Sequence, residues 1–217
     1  MLKKNAAAAL ALGACIGAPS AQAAVFGGID FPGGAASFAD AVVSYQPGTG
    51  VGECFGDPSQ ALGLPFDGDP DDAGCAGVSL GKGGTIVLEF TDNALTASGD
   101  DAFDLHIFEV GEETEQMLLA ISADGTNWID LGAYAGQPES IDIDPVAGVS
   151  TGTLYSYVRI QDDPDVGSHG SPFAGADIDA VGAITSAPPA IPLPAAGWAL
   201  VAGLAALGGL RAGRPHG

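Results

Sequence analysis

Between the two ends of the chain, short apolar runs, cut apart by glycine and proline before any of them reaches helical length, constrain the fold more than anything else in the sequence. The sequence has 34 glycines and 15 prolines in 217 residues, and no long stretch repeats its apolar residues at helical spacing. What recurs instead are runs of four to eight residues rich in β-branched and aromatic side chains, bounded by turn signals. "TIVLEF" at 85–90 sets Ile86, Leu88 and Phe90 on one face of a strand, since alternate side chains share a face. "FDLHIFEV" at 103–110 predicts another strand. "MLLAISADGTNWIDLG" at 117–132 predicts a hairpin turning near Asp124-Gly125, and "SIDID" at 140–144 and "YSYVRIQ" at 155–161 add further strands. "GADIDAVGAI" at 175–184 is the last, with Asp177 and Asp179 on one face and Ile178, Ala180 and Ile184 on the other. Phe38 to Tyr45 reads as an early strand or a short helix, and residues 46–83 as a long decorated loop. Many strands at short spacing predict an all-β fold, an antiparallel β-sandwich of jelly-roll-like character.

The two ends read as address labels. Lys3 and Lys4 precede an apolar run to Ile16, and Ala21-Gln22-Ala23 follows, the pattern of a secretory signal peptide over residues 1–23. Leu12-Gly13-Ala14-Cys15 also fits a lipoprotein signal, which stays open as an alternative. A sandwich domain is expected over 24–185, a Pro-containing linker over 186–190, and a sorting segment over 191–217. That segment holds Ile191-Pro192-Leu193-Pro194-Ala195, an apolar run to Leu210 and then Arg211 and Arg214. Its apolar part is just long enough to cross a bilayer as a transmembrane helix, which takes about 20 residues, with the arginines staying on the cytoplasmic side.

Charge is confined to the body. All 27 acidic residues lie between Asp30 and Asp179, where Lys82 and Arg159 are the only Lys or Arg. Such a surface excludes nucleic-acid binding, which needs a basic footprint, and docking on anionic lipid. It favours cations, although an acidic surface also serves solubility alone. In an exported chain, Cys54 and Cys75 form an even pair suited to a disulfide.

The acids are clustered. Asp67, Asp69, Asp71 and Asp72 are spaced along a Gly/Pro loop as a calcium loop requires, although the glycine is misplaced for an EF-hand and no glutamate follows at its twelfth position. Asp100, Asp101, Asp104 and Glu109 form a second cluster, Asp162, Asp163 and Asp165 a third, and Asp177 and Asp179 a fourth, each at a strand end or in the adjoining loop. An antiparallel sandwich can gather such ends at one edge. The expected metal site is therefore a Ca²⁺ held by Asp104 or its acidic neighbours, by Asp162 or Asp163, and by Asp177 or Asp179, because calcium takes six to eight oxygens in irregular cages. No G-x-S-x-G frames a serine, histidines number three, and aromatics make up only 7%, few for a sugar-cleaving cleft. A non-enzymatic role is expected.

The tail resembles the PEP-CTERM class of bacterial sorting signals in its VPLPA-type variant, with isoleucine in place of the first valine. That resemblance implies processing by an exosortase-type enzyme and display at the cell surface. The body is similar to a set of PEP-CTERM surface proteins on Ala61-Leu62-Gly63-Leu64-Pro65, Ser79 to Asn93, Asp104 to Glu109, Ser122 to Trp128, Tyr157 to Pro164 and the closing "GADIDAVGAI". The "SADGTNW" hairpin with the later "YVRI" resembles discoidin-like and galactose-binding-like sandwiches. What these resemblances imply is an exported, surface-sorted protein associated with exopolysaccharide or the cell-surface matrix. A carbohydrate-binding module and a glycan-active hydrolase are the alternatives.

Overall fold

The computed structural model describes residues 22–67, 75–111, 114–136, 138–167 and 169–188. It is all-β. The strands, in chain order, are β1 (Ala24–Phe26), β2 (Ile29–Phe31), β3 (Ala41–Gln46), β4 (Val78–Ser79), β5 (Thr85–Glu89), β6 (Ala94–Leu95), β7 (Leu105–Glu109), β8 (Met117–Ser122), β9 (Trp128–Tyr134), β10 (Glu139–Ile141), β11 (Tyr157–Asp162), β12 (Asp177–Ala183) and β13 (Ser186–Ala187). Short 3-10 turns at Gly34–Ser37, Glu53–Phe55 and Pro58–Ala61 punctuate the N-terminal third. Among the described residues no helix is long and apolar enough to cross a membrane. Most of the expected signal peptide (residues 1–21) and the whole expected sorting motif, Ile191 to Ala195, with its apolar run lie outside the described residues.

Two antiparallel sheets carry the architecture. One has four strands in the order β10-β7-β12-β4, the other five in the order β3-β5-β11-β8-β9. Period-2 alternation explains why they face each other. Ile86 and Leu88 of β5, Leu119 and Ile121 of β8, and Val158 and Ile160 of β11 point inward from the larger sheet. They meet Leu105 and Ile107 of β7 and Ile178 and Val181 of β12 from the smaller sheet, in one continuous core. Each such side chain contributes about 1.5–3 kcal/mol when fully buried. The result is sandwich-like.

The outer face of the smaller sheet is also covered. Phe108 and Ala180 alternate with the core residues and pack under Phe31 and Phe38, whose rings stand 4.8 Å apart. The β1–β2 hairpin thus lies over this sheet, and every residue of β12 is buried. Cys54 and Cys75 form a disulfide that closes the loop between β3 and β4.

All four edge strands of the two sheets are short or bulged. β10 has three residues and β4 two. In β3 the register slips between Val42 and Ser44, leaving Val43 as an extra residue. In β9 it slips so that Leu131 is extra between Asp130 and Gly132. β-bulges interrupt the regular row of edge donors and acceptors.

At its C-terminal limit the body runs further than the sequence suggests. Ser186 and Ala187, expected in the linker, pair with β6 as β13.

Candidate metal centre

A carboxylate trio lies at one end of the smaller sheet. Asp104 immediately precedes β7, while Asp142 and Asp144 follow β10. One oxygen from each stands within 4.8 Å of the other two. Local sequence explains the placement. Ile141 and Ile143 are buried in the core, so the intervening Asp142 and the following Asp144 are turned outward. A turn closed by Val146 N–H donating to the Ile143 carbonyl stops the strand there.

Asp104 is wholly buried. Its Oδ1 accepts from the Ser98 amide at 2.9 Å and its Oδ2 from the Ile143 amide at 3.1 Å. Burial raises its pKa despite hydrogen bonds from the side chain of Thr185 and from Ile143 and Ser98. Asp144 accepts from the Gly99 amide at 3.1 and 3.0 Å and from the Ser98 hydroxyl at 3.0 Å. Asp142 accepts from the Asp144 amide at 2.9 Å. A groove of about 280 Å³ opens beside them, lined by Gly99, Asp100, Asp101, Asp142, Asp144 and Pro145.

These donors suit a hard cation. Ligands on opposite sides of a Ca²⁺ with bonds near 2.4 Å stand about 4.8 Å apart, so the trio spans what one ion can bridge. Each carboxylate has about four lone-pair sites, and the amide bonds leave some of them free. All-oxygen ligation and an open groove for water or carbonyl ligands fit calcium better than zinc, which takes nitrogen and sulfur.

The other residues expected at the metal site lie elsewhere. Asp104 sits at the start of β7, whereas the Asp177 carbonyl accepts from Val110, just past its end, about 20 Å along an extended strand. No single ion reaches both. Asp162, also wholly buried, accepts from the amides of Gly83 at 2.8 Å and Ala176 at 3.3 Å and contacts His169 Nε2 at 3.2 Å. Asp163 accepts from the Asp165 amide within its own turn. Asp177 accepts from the Ser79 hydroxyl, and burial lifts its pKa to about 6. Asp179 accepts from the Phe66 amide at 2.9 Å and is likewise raised by burial. These carboxylates are met one by one, by amides, a hydroxyl and a histidine.

Asp177 and Asp179 are further separated by a bulge. Ile178 pairs with Glu109 and Ala180 with Phe108, which leaves Asp179 as an extra residue. Ala180 accordingly belongs to the outer phenylalanine cluster, while Ile178 belongs to the main core. In the proposed second calcium loop, Asp67 is exposed, and Asp69, Asp71 and Asp72 lie outside the described residues. Asp142 and Asp144 carry the signal that sequence reading passed over: two aspartates alternating with two core isoleucines, followed by Pro145.

His106 is 2% exposed, touches Ser140 Oγ through Nδ1 at 2.7 Å and packs on Phe108 at 4.4 Å. Desolvation lowers its pKa to about 4. His169 is turned toward Asp162.

No protein-family model matches the chain, and no curated protein matches it.

Proposed function

We propose that this is an exported, surface-displayed protein whose jelly-roll-like body is stabilised by Ca²⁺ at Asp104, Asp142 and Asp144, and that it acts without catalysis in the exopolysaccharide or cell-surface matrix. The observation that carries the metal reading is the convergence of three carboxylates, one of them fully buried, on one point. An ion there would tie the turn before β7 to the turn after β10. The export reading rests on the signal-like residues 1–23 and on the tail at 191–217, whose Ile191-Pro192-Leu193-Pro194-Ala195 motif, apolar run and terminal arginines support sorting by an exosortase-type enzyme with at least transient membrane anchoring. The paucity of cationic side chains supports a partner other than nucleic acid.

A ligand that binds only the folded state raises its stability as concentration rises. Thermal unfolding of the purified chain, followed in EDTA and across micromolar to millimolar calcium, tests the metal reading. A midpoint that climbs with calcium supports it, and a midpoint that stays put overturns it. Fractionation of the native host, with the mature termini read by mass spectrometry, tests the export reading independently.

A further inference from the structure

The outer face of the five-stranded sheet carries a built hollow that the metal centre does not use. Register places three cross-strand rungs there: Tyr157–Ser122–Trp128, Arg159–Ala120–Asp130 and Gln161–Leu118–Ala133. Ala120 in the middle rung is small. The Arg159 guanidinium crosses above it, meeting Asp130 Oδ1 at 3.2 Å and lying 4.8 Å over the Trp128 ring. Between the second and third rungs the β9 bulge inserts Leu131, and the next residue, Gly132, has φ +112° with no side chain to fill the space. A Cβ built there would meet nothing within 4 Å. The outcome is a hollow of about 310 Å³ lined by Arg159, Asp130, Gln161, Leu118, Ala133 and Gly132, among others.

We propose that this hollow binds an uncharged pyranose unit of a polysaccharide. Its size is at the lower end of small-molecule sites, about 300–1,000 Å³. Arg159 offers only donors and Asp130 only acceptors, held side by side, which matches a pair of neighbouring sugar hydroxyls; the Gln161 amide offers both. Leu118 and Ala133 provide an apolar patch for the C–H face of a ring. The stacked Trp128 fixes the guanidinium before a ligand arrives, which reduces the ordering that binding requires. An anionic sugar fits poorly. Arg159 is already matched by Asp130, and 27 carboxylates in the chain repel a polyanion at long range. This inference deepens the matrix reading by naming a ligand class, and it does not depend on calcium.

The test is affinity electrophoresis of the full chain in mild detergent, through gels containing dextran, laminarin, xyloglucan or galactomannan, with alginate and polygalacturonate as anionic counterparts. Retardation by at least one neutral polymer is expected, weakened tenfold or more in Arg159→Ala and in Ala133→Phe, which fills the hollow, and several-fold in Gln161→Ala. Melting curves confirm that each variant is folded, and Ala133→Phe, at an exposed position, stands in if Arg159→Ala is not. No retardation by any neutral polymer overturns the proposal. So does stronger retardation by the anionic polymers, or retardation unchanged in every folded variant. All gels contain calcium, and the calcium response is read separately by melting, so either proposal can fail while the other stands.

Discussion

Asp104 and Asp144 are joined through one residue: the Ser98 amide donates to Asp104 and the Ser98 hydroxyl to Asp144. Two carboxylates from turns some 40 residues apart in the chain are thereby held side by side before any ion arrives. Asp144→Asn keeps the shape and removes one charge. It is expected to abolish most of the calcium-dependent rise in melting temperature while changing the calcium-free midpoint little. Wild-type protein at calcium 100-fold above its dissociation constant gains about 2.7 kcal/mol, a shift of several degrees for a body of this size. Differential scanning calorimetry of both proteins, with and without EDTA, measures it.

The Cys54–Cys75 disulfide closes a loop of 21 residues. Restricting an unfolded chain by a loop of that length contributes roughly 3 kcal/mol in the chain-entropy model. Cys54→Ser/Cys75→Ser is expected to lower the unfolding free energy by about that amount, and urea titration of wild type under reducing conditions should reproduce the loss. Identical denaturation midpoints would count against a stabilising bridge.

Glu109 gives the body a pH dependence of definite sign. Both its carboxyl oxygens are shielded from solvent and lack a hydrogen-bond partner among the described residues. Burial, then the charges of Glu115, Asp177 and Glu139, push its pKa up to about 9. Folded, Glu109 keeps its proton to about pH 9; unfolded, it loses it near the ordinary value of 4.5. The folded state therefore binds the extra proton throughout that interval, and stability falls as pH rises across it. Asp177, raised to about 6, adds the same sign between 3.8 and 6. Glu109→Gln is expected to lose less stability than wild type between pH 5 and pH 9, and urea unfolding at the two pH values checks it. Equal losses in both proteins would contradict the assignment.

Gly175 stands where no side chain fits. Its φ is +71°, and a Cβ would come within 2.6 Å of Asp162 Oδ1 and 2.8 Å of the Gly81 carbonyl. Gly175→Ala is expected to cost about 2 kcal/mol or more, from backbone strain and from displacing a buried carboxylate off its amides. Gly152→Ala, also at positive φ but with open space around it, is expected to cost less. Chemical denaturation of the two variants separates crowding from strain.

Strand identity was legible because it is written in alternation. Ile86, Leu88 and Phe90 do share the core, and the hairpin at Asp124-Gly125 joins β8 to β9. The cysteine pair was legible from count and spacing. Of the carboxylate trio, only Asp104 was legible as a candidate ligand. Alternation assigns Asp177 and Asp179 to one face, but a bulge is a register event between two strands and leaves no local mark. "SIDID" reads as one strand, yet pairing stops at Ile141, and the turn that follows is what brings Asp142 and Asp144 to Asp104. Which strand ends meet depends on sheet order, and order is set by long-range packing that a single chain of letters does not display.

The interrupted borders of the two sheets have a consequence for how one copy of this chain can meet another. A straight, unprotected margin invites a neighbouring chain to dock its backbone and start a fibre. Here Val43 and Leu131 break the two longer margins, and the other two are only a few residues long. Among the described residues, these four margins therefore offer a second copy only short or broken stretches of main chain to pair with.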